Sequence, residues 1–467
     1  MSYFSLLYLG IFSLIISVLS FFNIVYSYYF NFYLNLDCYI YSLLVSLFLG
    51  LFFLIKKKDT YKISIYHKIL TVISGYLILP LIISIPYYLS IYNISLLDSY
   101  FESISGFTST GFTIFNNIKH IDESLILWRS SSQWIGGLYF LISIVLLIDI
   151  FDNNLKKSLT NFLSFNTSET LKHSSKIFIL YVSLTFAIFL ILKIFEFRTF
   201  NSFNLSMTLI SSGGFLPINS LTSILGNNTK EIIFSLLMLV SFFSIYLSYN
   251  LVFLKNKDMN FFKEDIYLLI YLITLLAIFF LLFNIDYNFS VVLLSLTSSI
   301  SNIGVSLDKT PQNLSFVFLI LTIIGGSFFS TSSGLRFIKL YSLFKFSIND
   351  LISHVKPKNI INRHLFLDIS FEKTEINKYF VSVLIFVISL FFLTSFLTFS
   401  DISLENSFKL SILTLMNTVN SSMYDLADFN FQELQFITKY FLIIFMIIGR
   451  VELLTFLIIC KKFLFKN

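Results

Sequence analysis

The sequence contains little charge. Only 12% of its 467 residues are Asp, Glu, Lys or Arg, whereas 56% are apolar and 19% are aromatic. The mean hydropathy is +0.83. A soluble chain of this length needs more polar surface than this composition supplies, so a soluble fold is excluded. The sequence predicts a polytopic membrane protein.

Cysteine and nucleotide-binding motifs are scarce or missing. Cys38 and Cys460 lie far apart in apolar surroundings, so we expect neither a disulfide framework nor a metal site based on cysteine. The chain has no P-loop and no dinucleotide fingerprint, so we expect no nucleotide site in it. The first apolar run lacks a small-residue cleavage site, and we therefore expect no cleavable signal.

Glycine is also scarce, and its positions are informative. The chain has 15 glycines, and most lie in or beside four Ser/Thr- or Asn-rich turns, where positive φ or close backbone approach is expected. The turns are SYFESISGFTSTGFTIF (Ser99 to Phe115), SMTLISSGGFLPINS (Ser206 to Ser220), SLTSSISNIGVSLDKTP (Ser295 to Pro311) and TLMNTVNSSMYDLADF (Thr414 to Phe429). Asn420 of the fourth turn is expected where the others place Gly111, Gly214 and Gly304. A fourfold pattern of helix, re-entrant loop and helix is typical of an ion-conducting pore.

Apolar runs long enough to cross about 30 Å of hydrocarbon predict two leading membrane helices and four further pairs. The leading helices are 3–30 and 38–55, and the pairs are 66–92 with 124–150, 173–197 with 229–254, 265–284 with 312–343, and 376–399 with 433–463. Between the members of each pair, a segment of roughly ten residues is too short to span the membrane. We interpret it as a half-membrane helix whose turn is buried in protein or lines water.

The predicted fold is therefore an all-α polytopic membrane protein with pseudo-fourfold symmetry around a central ion pore. The predicted divisions are 1–60 for the leading helices, 61–155 for the first repeat, 156–258 for the second, 259–350 for the third with a gate loop, and 351–467 for the fourth.

Basic residues in the connecting loops predict the orientation, because such residues favour the cytoplasmic side. They are Lys56, Lys57, Lys58, Lys62, Lys156, Lys157, Lys172, Lys176, Lys255, Lys257, Lys263, Lys345, Lys356, Lys358, Arg363, Lys461, Lys462 and Lys466. All fall on one side, which we assign to the cytoplasm together with both termini.

Acidic residues are predicted on the opposite side, where the re-entrant segments enter. They are Asp98, Glu102, Asp122, Glu123, Asp286, Asp401, Glu405, Asp425 and Asp428. An acidic outer mouth concentrates cations. Ordinary solvated loop charge explains part of this set equally well.

The turns suit the selection of a monovalent cation. A dehydrated K⁺ needs uncharged oxygens, which backbone carbonyls and hydroxyl groups from four loops supply. The predicted filter residues are Thr108, Ser109, Thr110, Gly111, Ser211, Ser212, Gly213, Gly214, Ser301, Asn302, Ile303, Gly304, Thr418, Val419 and Asn420. The partly negative C-terminal end of each half-helix adds a modest attraction for the ion.

Four motifs carry a resemblance to a known family. They are FESISGFTSTGFT (Phe101 to Thr113), WRSSSQWIGG (Trp128 to Gly137), IGGSFFSTSSGLRFIKL (Ile324 to Leu340) and GRVELLT (Gly449 to Thr455). Over nearly its whole length the chain resembles the Trk/Ktr/HKT superfamily of potassium transporters, and most closely the bacterial Trk membrane-spanning subunit.

The resemblance implies a gate. An interrupted helix in the third repeat would form an intramembrane loop beneath the filter, with an arginine of the last helix, Arg450, near the same constriction. The implied gate residues are Gly325, Gly326, Ser327, Ser330, Thr331, Ser332, Ser333 and Gly334. A buried arginine needs a partner or an aqueous cavity and opposes cation passage, and Glu452 is wrongly spaced to be its helical partner. The alternative is that Arg450 ties helices together by bonding loop carbonyls.

The resemblance further implies a homodimer and a separate cytosolic nucleotide-binding gating subunit (TrkA-like). The implied function is potassium uptake across the bacterial inner membrane, with ions descending their electrochemical gradient. The potential contributes about 2.3 kcal/mol per charge per 100 mV. No enzymatic activity and no resident cofactor other than the transported ion are expected.

Departures from the family pattern leave alternatives open. The family places glycines at Asn420 and Ser422 and a phenylalanine at Val305, and Phe328, Phe329 and Ser333 are added to the gate. Asparagine tolerates left-handed backbone geometry, but its side chain would intrude on the pore if it pointed inward. The same fold with sodium or a proton-coupled cation as substrate, or a partly degenerate subunit with weak selectivity, therefore stays open. A membrane enzyme acting on lipid would need convergent ionisable groups, whereas Lys193, Glu196, Arg129 and Arg450 are isolated along the sequence.

Overall fold

The computed structural model describes residues 3–55, 65–151, 167–253, 263–282, 288–355 and 373–451. Two leading helices, α1 (Tyr3–Tyr29) and α2 (Leu36–Leu54), pack against each other. Both also pack against the first repeat. Their apolar composition suits a lipid-facing position.

Four repeats follow, each with a twelve-residue helix after its first long helix. The first has α3 (Ile65–Leu89), α4 (Leu96–Phe107) and α5 (Glu123–Phe151). The second has α6 (Thr167–Ile194), α7 (Thr199–Ile210), the one-turn α8 (Thr222–Leu225), α9 (Asn228–Phe242) and α10 (Ile245–Val252). The third has α11 (Lys263–Leu282), α12 (Phe289–Ile300), α13 (Ser315–Ile323), β1 (Ile324–Gly325), β2 (Leu335–Arg336) and α14 (Phe337–Val355). The fourth has α15 (Lys373–Phe399), α16 (Leu404–Leu415) and α17 (Phe436–Val451).

Seven helices in the described part are long and apolar enough to cross a membrane: α1, α2, α3, α5, α6, α11 and α15. They comprise the two leading helices, the first helix of every repeat and α5. The all-α, multi-pass membrane fold predicted from the sequence is therefore confirmed. The second long helices of the later repeats differ, because those of the second and third repeats are broken and α17 is described only to Val451.

The helix predicted at 229–254 is wrong as a continuous element. It breaks at Phe243 and Ser244, between α9 and α10. The interruption in the third repeat, which the resemblance implies, is present between α13 and α14. There β1 and β2 pair in parallel, with Ile324 opposite Leu335 and Gly325 opposite Arg336.

The helix α5 lies in the interior of the molecule. In its apolar spanning segment of 18 residues, 100% of the residues are buried, compared with 17% of the residues for α11 and 28% for both α2 and α15. It contacts α1, α3, α4, α6 and α7. The residues of α5 are therefore placed behind the re-entrant segments, where they can hold those segments in position.

Several predictions concern residues outside the described ranges. They involve Lys56, Lys57, Lys58, Lys62, Lys156, Lys157, Lys255, Lys257, Lys356, Lys358, Arg363, Lys461, Lys462, Lys466, Asp286, Glu452 and Cys460. The orientation and the division into five segments stay predictions.

Candidate functional site

The short helices that follow the first long helix of each repeat, α4, α7, α12 and α16, are the predicted half-membrane helices. Each is twelve residues long, too short to cross about 30 Å of hydrocarbon. Two of them begin at serine caps: Ser95 accepts a hydrogen bond from the Asp98 amide, and Ser403 accepts one from the Asn406 amide. A side-chain oxygen at this position satisfies an otherwise unpaired amide of the first turn. We call these four helices the pore helices.

Every pore helix ends in the same backbone motif. A residue with left-handed backbone follows each C-cap: Ser109 (φ 59°), Ser212 (φ 57°), Asn302 (φ 59°) and Asn417 (φ 48°). In α4, the Ser109 amide donates to Gly106 O at 2.9 Å and the Thr110 amide donates to Ser105 O at 2.9 Å. The corresponding pairs of hydrogen bonds recur in the other three helices. This is the Schellman termination, which pairs the last helical carbonyls.

The shared motif fixes which residues are equivalent in the four loops. Two residues beyond the left-handed position lie Gly111, Gly214, Gly304 and Val419. The expectation that Asn420 occupies the glycine position is therefore wrong by one residue. The Asn420 side chain donates to Leu426 O at 3.0 Å, so its amide group is bonded within its own loop.

The four equivalent positions converge. A Cβ atom built on Gly214 would lie 2.4 Å from Val419 Cβ, and one built on Gly111 would lie 3.0 Å from Val419 Cβ and 3.2 Å from the Gly214 Cα. A Cβ atom on Gly304 would lie 2.5 Å from Thr418 Cγ2 and 2.7 Å from Val419 O. We call Gly111, Gly214, Gly304 and Val419 the filter ring. The three glycines are required there because the loops approach each other so closely.

Side chains of the left-handed residues join consecutive loops. Ser212 Oγ donates to Ser301 O at 2.5 Å, which joins the second loop to the third. Asn302 Nδ2 lies 3.3 Å from Thr418 Oγ1, which joins the third loop to the fourth. Asn417 Nδ2 donates to Thr110 Oγ1 at 3.0 Å, which joins the fourth loop to the first.

Arg450 occupies the remaining junction, between the first and second loops. Its Nη2 lies 3.4 Å from Ser109 Oγ and 3.5 Å from Ser211 O, and its Nη1 donates to Ser333 Oγ of the interrupted segment. The side chain is 1% exposed. Arg450 thus contacts two filter loops and the segment beneath them. Its contact with the Ser211 carbonyl agrees with the alternative interpretation, in which Arg450 ties helices together by bonding loop carbonyls.

The interrupted segment from Gly325 to Gly334, which we call the gate loop, is buried against the pore helices. The Thr331 hydroxyl donates at 2.7 Å to the Ile210 carbonyl, at the C-terminal end of α7. This contact places the gate loop directly against the end of a pore helix. The eight loop residues predicted by resemblance for the gate belong to this segment, whereas Arg450 of the same predicted gate belongs to α17. Their role in gating stays a prediction.

The break between α9 and α10 explains how an irregular loop persists at membrane depth. The carbonyls of Ser241 and Phe242 accept hydrogen bonds from the amides of Ser332 and Ser327 at 3.1 and 3.0 Å. The Ile245 amide donates to Phe329 O at 3.0 Å. Two interrupted helices therefore satisfy each other's backbone groups, which lipid cannot do.

Two acidic residues that were not predicted from the sequence support this junction. Glu264 of α11 accepts hydrogen bonds from the Phe328 amide, at 3.0 Å, and from Ser327 Oγ, at 3.2 Å. Asp265 accepts one from the Ser244 amide at 2.9 Å. The signal in the sequence is the pair of adjacent carboxylates at the start of an apolar helix, where they have no helical partner.

Arg336 is a second buried arginine beneath the filter, and it too was not predicted from the sequence. Its Nη1 donates to Ser327 O at 3.0 Å and to Ser332 O at 3.1 Å. The guanidinium carbons of Arg336 and Arg450 lie 5.0 and 4.0 Å from the centroid of the Phe140 ring. One aromatic ring therefore contacts both cations, an arrangement that is favourable for each.

The outer face differs from the predicted acidic mouth. Glu102 is fully buried behind the first loop, where it accepts hydrogen bonds from Arg129 Nε at 2.9 Å and from the Ile114 amide at 3.0 Å. Arg129, expected to be isolated, has this partner and also lies 4.1 Å from the Phe215 ring centroid. Glu102 is therefore not part of an exposed acidic mouth, because it is buried. Arg129 is not isolated, because the ion pair joins residues on two different helices.

Other acidic side chains of that set have cationic partners. Asp98 pairs with Lys439 at 2.5 Å, and Lys409 pairs with Glu405 at 2.6 Å and with Asp425 at 3.4 Å. The two lysines are mostly buried, and neither was predicted from the sequence. Acidic charge near the entrance is therefore partly neutralised.

Comparisons with known proteins agree with this geometry. No family model matches the chain. An uncharacterized cation transporter of Methanocaldococcus jannaschii is 26% identical over 93% of this chain and 91% of its own length. The Trk system potassium uptake protein TrkH of Escherichia coli K12 is 24% identical over 79% of both chains. The names of these relatives describe transporters and not enzymes.

A solved structure gives the same fold. The crystal structure of the potassium transporter TrkH from Vibrio parahaemolyticus matches with a TM-score of 0.79 over 98% of both chains, at 19% identity. Together with the curated relatives, this match confirms the resemblance seen in the sequence. The chain is therefore similar in sequence to Trk system potassium uptake proteins and shares the fold of the TrkH potassium transporter.

Proposed function

We propose that the chain conducts K⁺ through the path that the filter ring surrounds. The observation that carries this proposal is that four twelve-residue helices end in one motif and converge on one ring. Uncharged hydroxyl, amide and carbonyl oxygens dominate the loops, and such oxygens replace the hydration shell of K⁺. The relatives named as potassium uptake proteins support the same substrate.

Two electrostatic effects favour the entry of a cation. Each pore helix directs its partly negative C-terminal end toward the ring, and the effect is limited to the last turn. A membrane potential adds about 2.3 kcal/mol per charge per 100 mV. Uptake down this gradient needs no chemical step in the chain itself.

The gate loop and Arg450 form the proposed gate. Their contact through Ser333 holds the loop against the filter, and the buried positive charge opposes a cation in the same path. Opening requires the gate loop to leave Ile210 and Arg450. We place the protein in a bacterial inner membrane with cytoplasmic termini, as a homodimer with a cytosolic nucleotide-binding gating subunit. These four features rest on the resemblance and the basic loops.

Growth rescue tests the proposed function. The chain is expressed in a bacterium that lacks potassium uptake, at limiting K⁺, with and without its cognate cytosolic partner. We expect rescue in at least one arrangement. Failure in both, with the protein shown to be inserted in the membrane, would contradict potassium uptake. Parallel ⁸⁶Rb⁺ and ²²Na⁺ uptake by proteoliposomes distinguishes a potassium pathway from a sodium pathway.

A further inference from the structure

The fourth position of the filter ring holds a branched apolar side chain. The other three positions are glycines, and the four are equivalent because the hydrogen bonds that end the pore helices are equivalent. Val419 is 8% exposed. Its side chain therefore lies among the loops and not on the lipid-facing surface.

The Val419 side chain is directed toward two of the other loops. Its Cβ is the nearest atom to the Cβ positions that Gly111 and Gly214 would have, and its Cγ1 would lie 2.7 Å from that of Gly214. These contacts place the isopropyl group between the first and second loops at the level of the ring. The space that four glycines would leave open is therefore partly filled.

The neighbouring loops show that this arrangement lowers the symmetry of the ring. Gly111 and Gly304 have positive φ angles of 83° and 77°. Ser105 Oγ donates to Phe112 O, and Ser298 Oγ donates to Val305 O, both at 2.6 Å. The first and third loops thus share one conformation, whereas Gly214 and Val419 have no positive φ. Val419 stands in the pair of loops that departs from it.

We propose that Val419 is the rate-limiting apolar constriction of the filter and a determinant of ion selection. Apolar constrictions oppose ion passage because they offer no oxygen to replace water and tend to lose their own water. The inference rests on the proposed cation conduction. It goes further by assigning the restriction to one side chain.

The experiment compares Val419→Gly, Val419→Ala and Val419→Leu with the parent protein in proteoliposomes. We expect the glycine variant to raise ⁸⁶Rb⁺ influx about tenfold, which corresponds to a barrier lower by about 1.4 kcal/mol. The alanine variant should give a smaller rise, and the leucine variant should lower influx. Val72→Ala is the matched control, because it removes the same atoms from a fully buried valine of α3 outside the loops.

A second measurement keeps the inference testable if flux is small. The K⁺-dependent rise in the thermal unfolding temperature of detergent-purified protein reports ion binding without conduction. We expect Val419→Gly to reach half of this rise at a lower K⁺ concentration than the parent. Parent flux with unchanged flux and K⁺ response in Val419→Gly would overturn the inference and leave the proposed function intact. A folded, inserted parent and Val419→Gly variant that both lack flux and K⁺ response would overturn both.

Discussion

Glu102 of α4 and Arg129 of α5 form an ion pair with a 2.9 Å separation, and their side chains are 0% and 1% exposed. The pair also bonds the chain that leaves the first filter loop, since Arg129 donates to Thr113 Oγ1 at 2.9 Å and Glu102 accepts from the Ile114 amide. A pore helix, its loop and the interior helix behind it are thereby held as one unit.

Replacing Glu102 with alanine should destabilise the protein strongly. The Arg129 charge would be left buried without its carboxylate, a change that typically costs about 3–5 kcal/mol. Thermal unfolding of purified protein measures the effect. Arg198→Ala is the matched control, because the Arg198–Glu123 pair is 69% and 30% exposed and such pairs contribute about 0–1 kcal/mol. Equal shifts in the two variants would contradict the structural role of the buried pair.

Replacing Arg450 with alanine should raise ⁸⁶Rb⁺ influx. The variant removes a positive charge from the proposed path and the hydrogen bond that holds Ser333 of the gate loop. We expect about a tenfold increase, equivalent to a barrier lower by about 1.4 kcal/mol. Influx into proteoliposomes is the measurement, and a fall in flux from intact, inserted protein would contradict the gate.

Two further variants separate the charge of Arg450 from its contact. Both variants keep the positive charge. Ser333→Ala removes the hydrogen bond to the gate loop, and Arg450→Lys alters the contacts with Ser109 and Ser211. If the charge dominates, the ⁸⁶Rb⁺ influx of both variants stays close to that of the parent. If the contact dominates, the influx of Ser333→Ala approaches that of Arg450→Ala.

Replacing Gly111 with alanine should change ion selection or abolish flux. The residue has φ 83°, and its new Cβ would lie 3.0 Å from Val419 Cβ. Gly226→Ala is the matched control, because Gly226 also has a positive φ, of 65°, but a Cβ there meets nothing within 4 Å. Left-handed strain of about 1–2 kcal/mol applies to both variants. Unchanged flux ratios in Gly111→Ala would count against its place in the filter.

The repeated turns were predictable because each depends on local sequence. A short amphipathic segment followed by Ser, Thr, Asn and Gly gives a half-helix with a left-handed end, whatever the rest of the chain does. The position of Val419 was not predictable by matching glycines. The register depends on which residue takes the left-handed backbone, and in the fourth loop this is Asn417, a residue type that tolerates such geometry.

Contacts between distant segments were also beyond the sequence. The break at Phe243 and Ser244 is stabilised by gate-loop residues more than eighty positions away, so no local pattern signals it. Arg129 looked isolated because its partner, Glu102, lies on another helix. Pairs at helical spacing can be recognised from sequence, but pairs between helices require the packing.

The last prediction decides between the two assignments of the fourth loop. Asn417 Nδ2 donates to Thr110 Oγ1 at 3.0 Å and to Met446 O at 2.9 Å, so it joins two filter loops to the last helix. We expect Asn417→Gly, which removes this side chain while tolerating φ 48°, to lower the ratio of ⁸⁶Rb⁺ to ²²Na⁺ influx by about tenfold, equivalent to about 1.4 kcal/mol.

Asn420→Gly is its matched control, since it removes the same amide from the next asparagine of the loop. That side chain bonds only Leu426 O among the hydrogen bonds described for it, so we expect a smaller change in the flux ratio. If Asn420 stood in the filter ring, as glycine matching predicts, the order of the two effects would be reversed. Comparing the ⁸⁶Rb⁺ to ²²Na⁺ influx ratios of the two variants therefore tests the register of the fourth loop directly. Both variants lose the same chemical group, and only its position relative to the end of α16 differs.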